Sequence, residues 1–311
     1  MGEVVLAVDI GGTKTAAALA DRHDTLLRTA VAATPAGDGP AAVVATVVAL
    51  AERLLSDTGL RLSGVGIGAA GVVDARSGTI VSATDTFADW PGTPLAALVR
   101  AGLDAHLLPD APVAVQNDVD AHAAGECLHG AGVGAASALV VAVGTGVGAG
   151  IVLADRAVRG AHHVAGEIAH LPIPGAAHLR CPCGRFGHLE AIGSGIGMHR
   201  HFRFLGGDPD IADARGIAGA AAAGDPVARR ALDESAAAVG RALAGAATLL
   251  DPERIVITGG VPNIGEDWWI PMRAAFRAEA IDALQSMPIL PGTLGDDAPL
   301  RGAAASAWRN P

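Results

Sequence analysis

The sequence predicts an α/β fold built from two related halves, and three observations predict it. Apolar strands alternate with amphipathic helical stretches along the 311 residues. Three of those strands end in glycine turns: DIGGTK (9–14), GTG (144–146) and TGG (258–260). Residues 139–160, LVVAVGTGVGAGIVLADRAVRG, also repeat the layout of residues 6–28, LAVDIGGTKTAAALADRHDTLLR. Each has a strand, a GT-containing turn, a second strand ending in LAD, and a short turn into a third strand. The spacing is far longer than a solenoid period, so it reads as one internal duplication.

The elements follow in order. VVLAVDI (4–10) is a buried strand, and TAAALAD (15–21) with LLRTAVAAT (26–34) continues it as a meander. PAAVVATVVALAERLLSDTG (40–59) has helical periodicity, with Pro near its start and Gly at its end. SGVGIGAAG (63–71) is a strand and glycine turn, APVAVQND (111–118) a strand ending in polar residues, and DAHAAGECLHG (120–130) a helix. After the repeat comes a cysteine- and histidine-bearing segment, then DPVARRALDESAAAVGRALAGAATLLD (225–251), a long amphipathic helix. RIVITGG (254–260) is a strand, and LRGAAASAWR closes the chain as a helix at 300–309.

Composition narrows the function. Half the residues are hydrophobic, which excludes disorder. A net charge of −10 argues against a nucleic-acid surface. Three cysteines make no disulfide framework and fit a reducing cytoplasm. The N-terminus lacks the basic region of a secretion peptide. Residues 130–154 are uncharged and long enough to span a bilayer, but they have no Trp at either end and GTG at the centre. They read as two buried strands joined by a tight turn.

The glycine turns let backbone N–H groups converge on an anion. Lys14, the only lysine, is positioned for phosphate or for solvent. There is no Walker A motif, and GTGVGA (144–149) precedes a strand rather than the helix a dinucleotide fingerprint must open. Residues 166–190, GEIAHLPIPGAAHLRCPCGRFGHLE, hold two of the three cysteines one residue apart among histidines, a pattern that suggests a metal. Asn117–Asp118 at a strand end reads first as a turn or helix N-cap, with catalysis second.

AVDIGGTKTAAAL, VGIGAAGVVD, QNDVDAHAAGE, VAVGTGVGAGIVL, RGAHHVAGEIAH, CPCGRFGHLEAIGSG and IVITGG occur in that order. Together they resemble the ROK family of repressors and sugar kinases, in particular its bacterial glucokinases, from about residue 4 to the C-terminus. The resemblance implies the actin-like, ribonuclease-H-like ATPase fold, with two lobes and a central cleft. It implies a small lobe of 1–116 with about 292–311, and a large lobe of 117–291. It also implies transfer of the ATP γ-phosphoryl group to a hexose hydroxyl, glucose first, with Mg²⁺. N-acetylmannosamine, another hexose or a glucose-like cyclitol are the alternatives, with a non-catalytic sugar sensor behind them. ROK repressors carry a helix-turn-helix before the first strand, where this chain has only a few residues. The expectation is a cytoplasmic homodimer or homotetramer with no membrane or nucleic-acid partner.

Residue by residue, the resemblance gives Asp118 the role of catalytic base. Gly71, Asn117, Asp118, Glu167, His170 and Glu190 would hold the sugar. Asp9 would hold Mg²⁺ through water. Gly11, Gly12, Thr13, Lys14, Gly144, Thr145, Gly146, Gly259 and Gly260 would surround the nucleotide. His170, Cys181, Cys183 and His188 would bind a structural zinc. His188 stands where the family has a third cysteine, and Ala70 where it often has proline. Cys127 would be a buried small hydrophobe outside the metal set.

Overall fold

A computed structural model of the chain describes residues 3–84, 86–154 and 156–309. Asp155, the end of the second LAD, lies outside the described residues. In order, the first elements are β1 (Val4–Ile10), β2 (Lys14–Ala20), β3 (Leu26–Ala33), α1 (Pro40–Leu55), β4 (Leu62–Ala69), β5 (Val72–Asp74), β6 (Thr79–Ser82), α2 (Leu95–Leu103), β7 (Val113–Asn117) and α3 (Asp118–His129). β8 (Ser137–Val143), β9 (Val147–Leu153), β10 (Arg156–Ala157), α4 (Glu190–Gly193), α5 (Gly195–Phe204) and α6 (Ala214–Ala222) follow. The last are α7 (Pro226–Leu250), β11 (Arg254–Thr258), α8 (Glu266–Glu279), β12 (Ile289–Pro291) and α9 (Asp297–Arg309).

Two five-stranded sheets share one strand order: β3-β2-β1-β4-β7 and β10-β9-β8-β11-β12. The meander and its later counterpart occupy the same three places, as a duplicated fold requires. Residues 130–154 form β8, β9 and their turn, as the sequence predicts. No helix among the described residues is long and apolar enough to cross a membrane.

The chain divides into two compact units. One is Met1–Gly134 with Gly150–Ala165 and Thr293–Pro311; the other is Ala135–Ala149 with Gly166–Gly292. The division expected near residue 117 would send α3 to the second unit, but α3 packs against α9 within the first. Glycines bring these two helices together: a Cβ on Gly125 would lie 2.0 Å from the Ala298 carbonyl oxygen, and one on Gly302 would lie 1.8 Å from that of Ala121.

In the first unit, β1 runs antiparallel to β2 and parallel to β4, which is parallel to β7. Period-two alternation sends β1 side chains into two cores. Val4, Leu6, Val8 and Ile10 pack with Val43, Val47, Leu50 and Leu54 of α1 and Val99 and Leu103 of α2. Val5 and Ala7 pack with Leu300, Ala303, Ala304 and Ala307 of α9. Burial on both faces explains why β1 reads as a continuous apolar run. Asp9 follows Val5 and Ala7 on the α9 face. On that face a Cβ on Gly66 of β4 would lie 1.8 Å from the Ala303 carbonyl oxygen. That oxygen is backbone and cannot swing aside, so Gly66→Ala must separate β4 from α9. It is expected to cost about 3 kcal/mol, read as a lowered urea midpoint with an unchanged m-value.

In the second unit, β11 is parallel to both β8 and β12. α7 starts at Pro226 behind Asp225, whose carboxylate accepts the Val227 and Ala228 N–H groups, and ends at Asp251 with φ 44°. It lies along α8, where Gly240 admits the partner backbone: a Cβ there would be 2.2 Å from the Met272 carbonyl oxygen.

Candidate active site and metal centre

In the first unit, Asp9 pairs in register with Gly68, and Gly68 with Gln116; one step on, Ala69 pairs with Asn117. Asp9, the GAAG turn and Asn117–Asp118 therefore sit at the carboxyl ends of three adjacent parallel strands. Open α/β sheets bind ligands at such ends. Gly68 keeps the space between the acids clear, since a Cβ there would lie 3.4 Å from Asp118 Cα and 3.7 Å from Asp9 Oδ1. Burial, then the Asp118 and Asp296 charges, push the Asp9 carboxyl up to about 7 against the opposing pull of Lys14. Crowded acids of this kind fit a hydrated divalent cation, which would lower that value again.

Stability should record this crowding. With a folded-state value of about 7 against an ordinary 3.8, the folded protein retains a proton that the unfolded chain has released. Stability therefore falls as pH rises from about 4 through 7. In the cation-free protein, Asp9→Asn is expected to raise the melting temperature at pH 8. Below about pH 3, where aspartate is protonated in both states, the two proteins should melt alike.

Asn117 is the N-cap of α3. Its Oδ1 accepts the Val119 N–H at 2.8 Å and the Asp120 N–H at 3.3 Å. Its Nδ2 donates to the Gly71 carbonyl at 2.9 Å. The cap reading and the site reading thus both describe this residue, and one amide hydrogen remains for a ligand. Asp118, half-buried, accepts the Val119 N–H on Oδ1 at 2.9 Å. Gly71 has φ +105°, and a Cβ there would meet the Ser82 carbonyl at 2.6 Å, so only glycine fits this turn. Trp90, fully buried and stacked on Phe87, donates its indole N–H to the Ala70 carbonyl at 2.9 Å. It anchors the turn from 20 residues away in sequence, and no motif signals it.

The Gly11–Thr13 turn is closed by the Gly11 N–H on the Lys14 carbonyl. A Cβ on Gly12 would come within 2.6 Å of Thr86 Cγ2. Thr13 and Lys14 are exposed, and the Lys14 ammonium lies 2.7 Å from Asp296. Asp296 belongs to no motif in the sequence; the topology returns the C-terminal segment to β2.

In the second unit, Gly144–Gly146 follows β8 and Gly259–Gly260 follows β11. Gly259 has φ +99°, with room for no side chain: a Cβ would be 2.4 Å from the Val143 carbonyl. A cavity of about 800 Å³ opens on these turns, lined by Gly144, Thr145, Gly260 and the N-termini of α5 and α6. Asp213 caps α6, while Gly195 at the start of α5 donates its N–H to the Gly144 carbonyl at 2.7 Å. Helix N-termini and bare backbone amides suit phosphates, and the volume suits a nucleotide. Arg215, His199 and Asn263 also line this cavity. They lie in stretches of unremarkable spacing, and no motif marks them.

Glu190 opens α4 with its carboxylate 3.4 Å from where a Gly146 Cβ would be. Burial and then the Glu167 charge raise its pKa against the pull of Arg200, and burial raises that of Glu167. His170 uses its two ring nitrogens differently. Nε2 is 3.6 Å from the Glu167 carboxylate, and Nδ1 is 3.7 Å from Cys181 Sγ. Cys183 Sγ lies 3.2 Å from His188 Nδ1. One ligand atom from each of His170, Cys181, Cys183 and His188 falls within 4.8 Å of the others. Four tetrahedral ligands 2.0–2.3 Å from one ion lie about 3.3–3.8 Å apart, so a slight closure of this cluster would seat one. The Cys181 N–H bonds the Arg185 carbonyl, and Gly184 turns the chain at φ +87°. Burial, then Arg185, hold His170 below the usual histidine range; burial, then His170 and Arg185, do the same for His188. Both shifts favour the neutral imidazole that can ligate a metal. Burial pushes the Cys181 thiol up to about 11, so metal binding there must displace a proton. His178 stands outside the set, packed on Phe204 and hydrogen-bonded to His201. Cys127 is half-buried rather than buried, on α3.

These turns, acids and like-ordered sheets mark an ATPase-type α/β fold. The ROK family model matches residues 5–310, and the chain belongs to the ROK family. A glucokinase from Streptomyces coelicolor is 32% identical, over 97% of this chain and 96% of that protein. A ROK family glucokinase from Streptomyces griseus, solved with glucose and AMPPNP, is 33% identical with a TM-score of 0.80, covering 97% of this chain and 98% of that one. A ROK hexokinase from Thermus thermophilus is 32% identical with a TM-score of 0.85, covering 98% of each chain. The actin-like fold follows from these likenesses together with the matched strand orders.

Proposed function

We propose that the chain is an ATP-dependent hexose kinase that phosphorylates glucose on its 6-hydroxyl. The observation that carries this reading is Asp118 at the β7 tip beside the raised carboxyl of Asp9, in a chain similar to glucokinases along its length. Phosphoryl transfer asks mostly for positioning and neutralised charge. Asp118 takes the proton from the attacking hydroxyl, and its attachment to a capped helix fixes its aim. The remaining Asn117 amide hydrogen, Glu167, His170 Nε2 and Glu190 pair with the other sugar hydroxyls, since each buried hydroxyl needs a partner. Amides of the Gly11–Thr13, Gly144–Gly146 and Gly259–Gly260 turns, with the Thr145 hydroxyl, cradle the phosphates. Asp9 would hold Mg²⁺ through water, and the bound ion would supply neutralisation of charge on the transferred group.

Zinc is the metal proposed for His170, Cys181, Cys183 and His188, because two thiolates and two imidazoles are a tetrahedral donor set. Its work would be structural: His170 would ligate it through Nδ1, which would leave Nε2 beside Glu167. The reading includes a cytoplasmic homodimer or homotetramer. ADP release coupled to NADH oxidation, run over a panel of sugars, tests the activity. Glucose should give the highest kcat/KM. A higher value for N-acetylmannosamine or a cyclitol would move the reading to another ROK substrate, and tight glucose binding without turnover would make the chain a sensor.

A further inference from the structure

A second cavity, of about 560 Å³, lies within the first unit, behind the strand that carries Asn117. Its floor is Gln116, 3% exposed, and its walls include Val115 of β7 and Leu128 of α3. Arg156, Arg159 and Arg309 line it, and among the described residues no aspartate or glutamate does. In a chain with 32 acidic residues and 22 basic ones, that is an unusual lining. Among the described residues, none of these three arginines forms an ion pair with a carboxylate. Arg159 makes a long 3.5 Å contact to Gln116 Oε1, while Gln116 Nε2 donates to the Gly302 carbonyl. Asp74, next to the wall residue Ala75, is occupied by the Ser77 hydroxyl and the Arg76 N–H. Three guanidinium groups over a partly apolar hollow suit a dianion on a small organic body.

We propose that this cavity binds a small phosphate monoester and that its occupancy tunes the kinase. The coupling follows from chain connectivity. The residues beneath the arginines belong to β7 and α3, whose junction is Asn117–Asp118, so a ligand that tightens this wall shifts the base. The coupling rests on the kinase reading, whereas the binding site does not.

Isothermal titration of the full chain with glycerol 3-phosphate, without sugar or nucleotide, tests the site. Binding should weaken at least tenfold in Arg156→Ala/Arg159→Ala and stay within twofold in Thr145→Ala. Both arginines are exposed, so the fold should survive, and Arg159→Gln gives an independent check. Absence of heat, or loss of binding in Thr145→Ala with retention in the double variant, overturns the site. Citrate binding in preference to the phosphate ester overturns the ligand class. In the kinase assay the ester should change kcat in the wild type and not in the double variant. Equal responses in both overturn the coupling, and the titration stands whether or not the chain phosphorylates sugars.

Discussion

Asp118→Asn is expected to lower kcat for glucose by about 100- to 10,000-fold, the range for removing a general base, while the KM for glucose changes by no more than a few-fold. The substitution replaces one carboxylate oxygen by an amide of the same shape. The helix it begins is capped by Asn117, whose Oδ1 holds two N–H groups independently of residue 118. Oδ1 of the new asparagine can still accept the Val119 N–H now held by the aspartate. The fold and the proposed sugar contacts should therefore persist, and what disappears is the ability to take a proton. Steady-state kinetics on the purified variant, with circular dichroism to confirm the fold, separates the two effects. An equal fall in affinity and turnover would instead mark Asp118 as a binding residue.

The second large effect belongs to the metal. Cys181→Ser is expected to abolish zinc binding and to raise the KM for glucose by roughly 10- to 100-fold, in line with losses seen when the support of a site is removed. Cys181 is 2% exposed and sits against His170 Nδ1. Without the ion, the ring keeps only its long contacts to Cys181 and Glu167 and its edge contact with His188, so its Nε2 should be held less firmly beside Glu167. His188→Cys should act in the opposite direction. A third thiolate adds a negative charge to the donor set, so the variant should hold zinc against a chelator that strips the wild type. Metal content per chain by mass spectrometry, measured with the glucose KM, checks both variants. Zinc-free wild-type protein with an unchanged KM would remove the metal from the account.

Much of this was legible because the chemistry sits at strand tips. β1, β4, β7, β8 and β11 are apolar runs that end abruptly in Gly, Asn or Asp, and such boundaries are local signals. The helix α7 announced itself by a proline start and long amphipathic periodicity. Other elements were hidden for physical reasons. β12 is a three-residue edge strand ending in Pro291, and its apolar run is too short to register. α8 carries Pro271 and two adjacent tryptophans, which obscure its period. α1 stops at Leu55 rather than at Gly59, because the Thr58 N–H turns back to the Leu55 carbonyl and Asp57 takes φ 60°. α9 begins at Asp297, earlier than the apolar pattern suggested. At the site, the backbone turns and metal ligands lay in compact motifs. Trp90 on Ala70 and Asp296 on Lys14 did not, since only the folded chain brings them there.

A crystal structure of the protein with glucose, AMPPNP and Mg²⁺ tests the central claim most directly. The account predicts an Asp118 carboxylate oxygen about 2.6–3.2 Å from the glucose 6-hydroxyl, the reach of a general base, with that hydroxyl facing the γ-phosphorus. A carboxylate turned away from the sugar, or a nucleotide bound apart from the glycine turns, would contradict it.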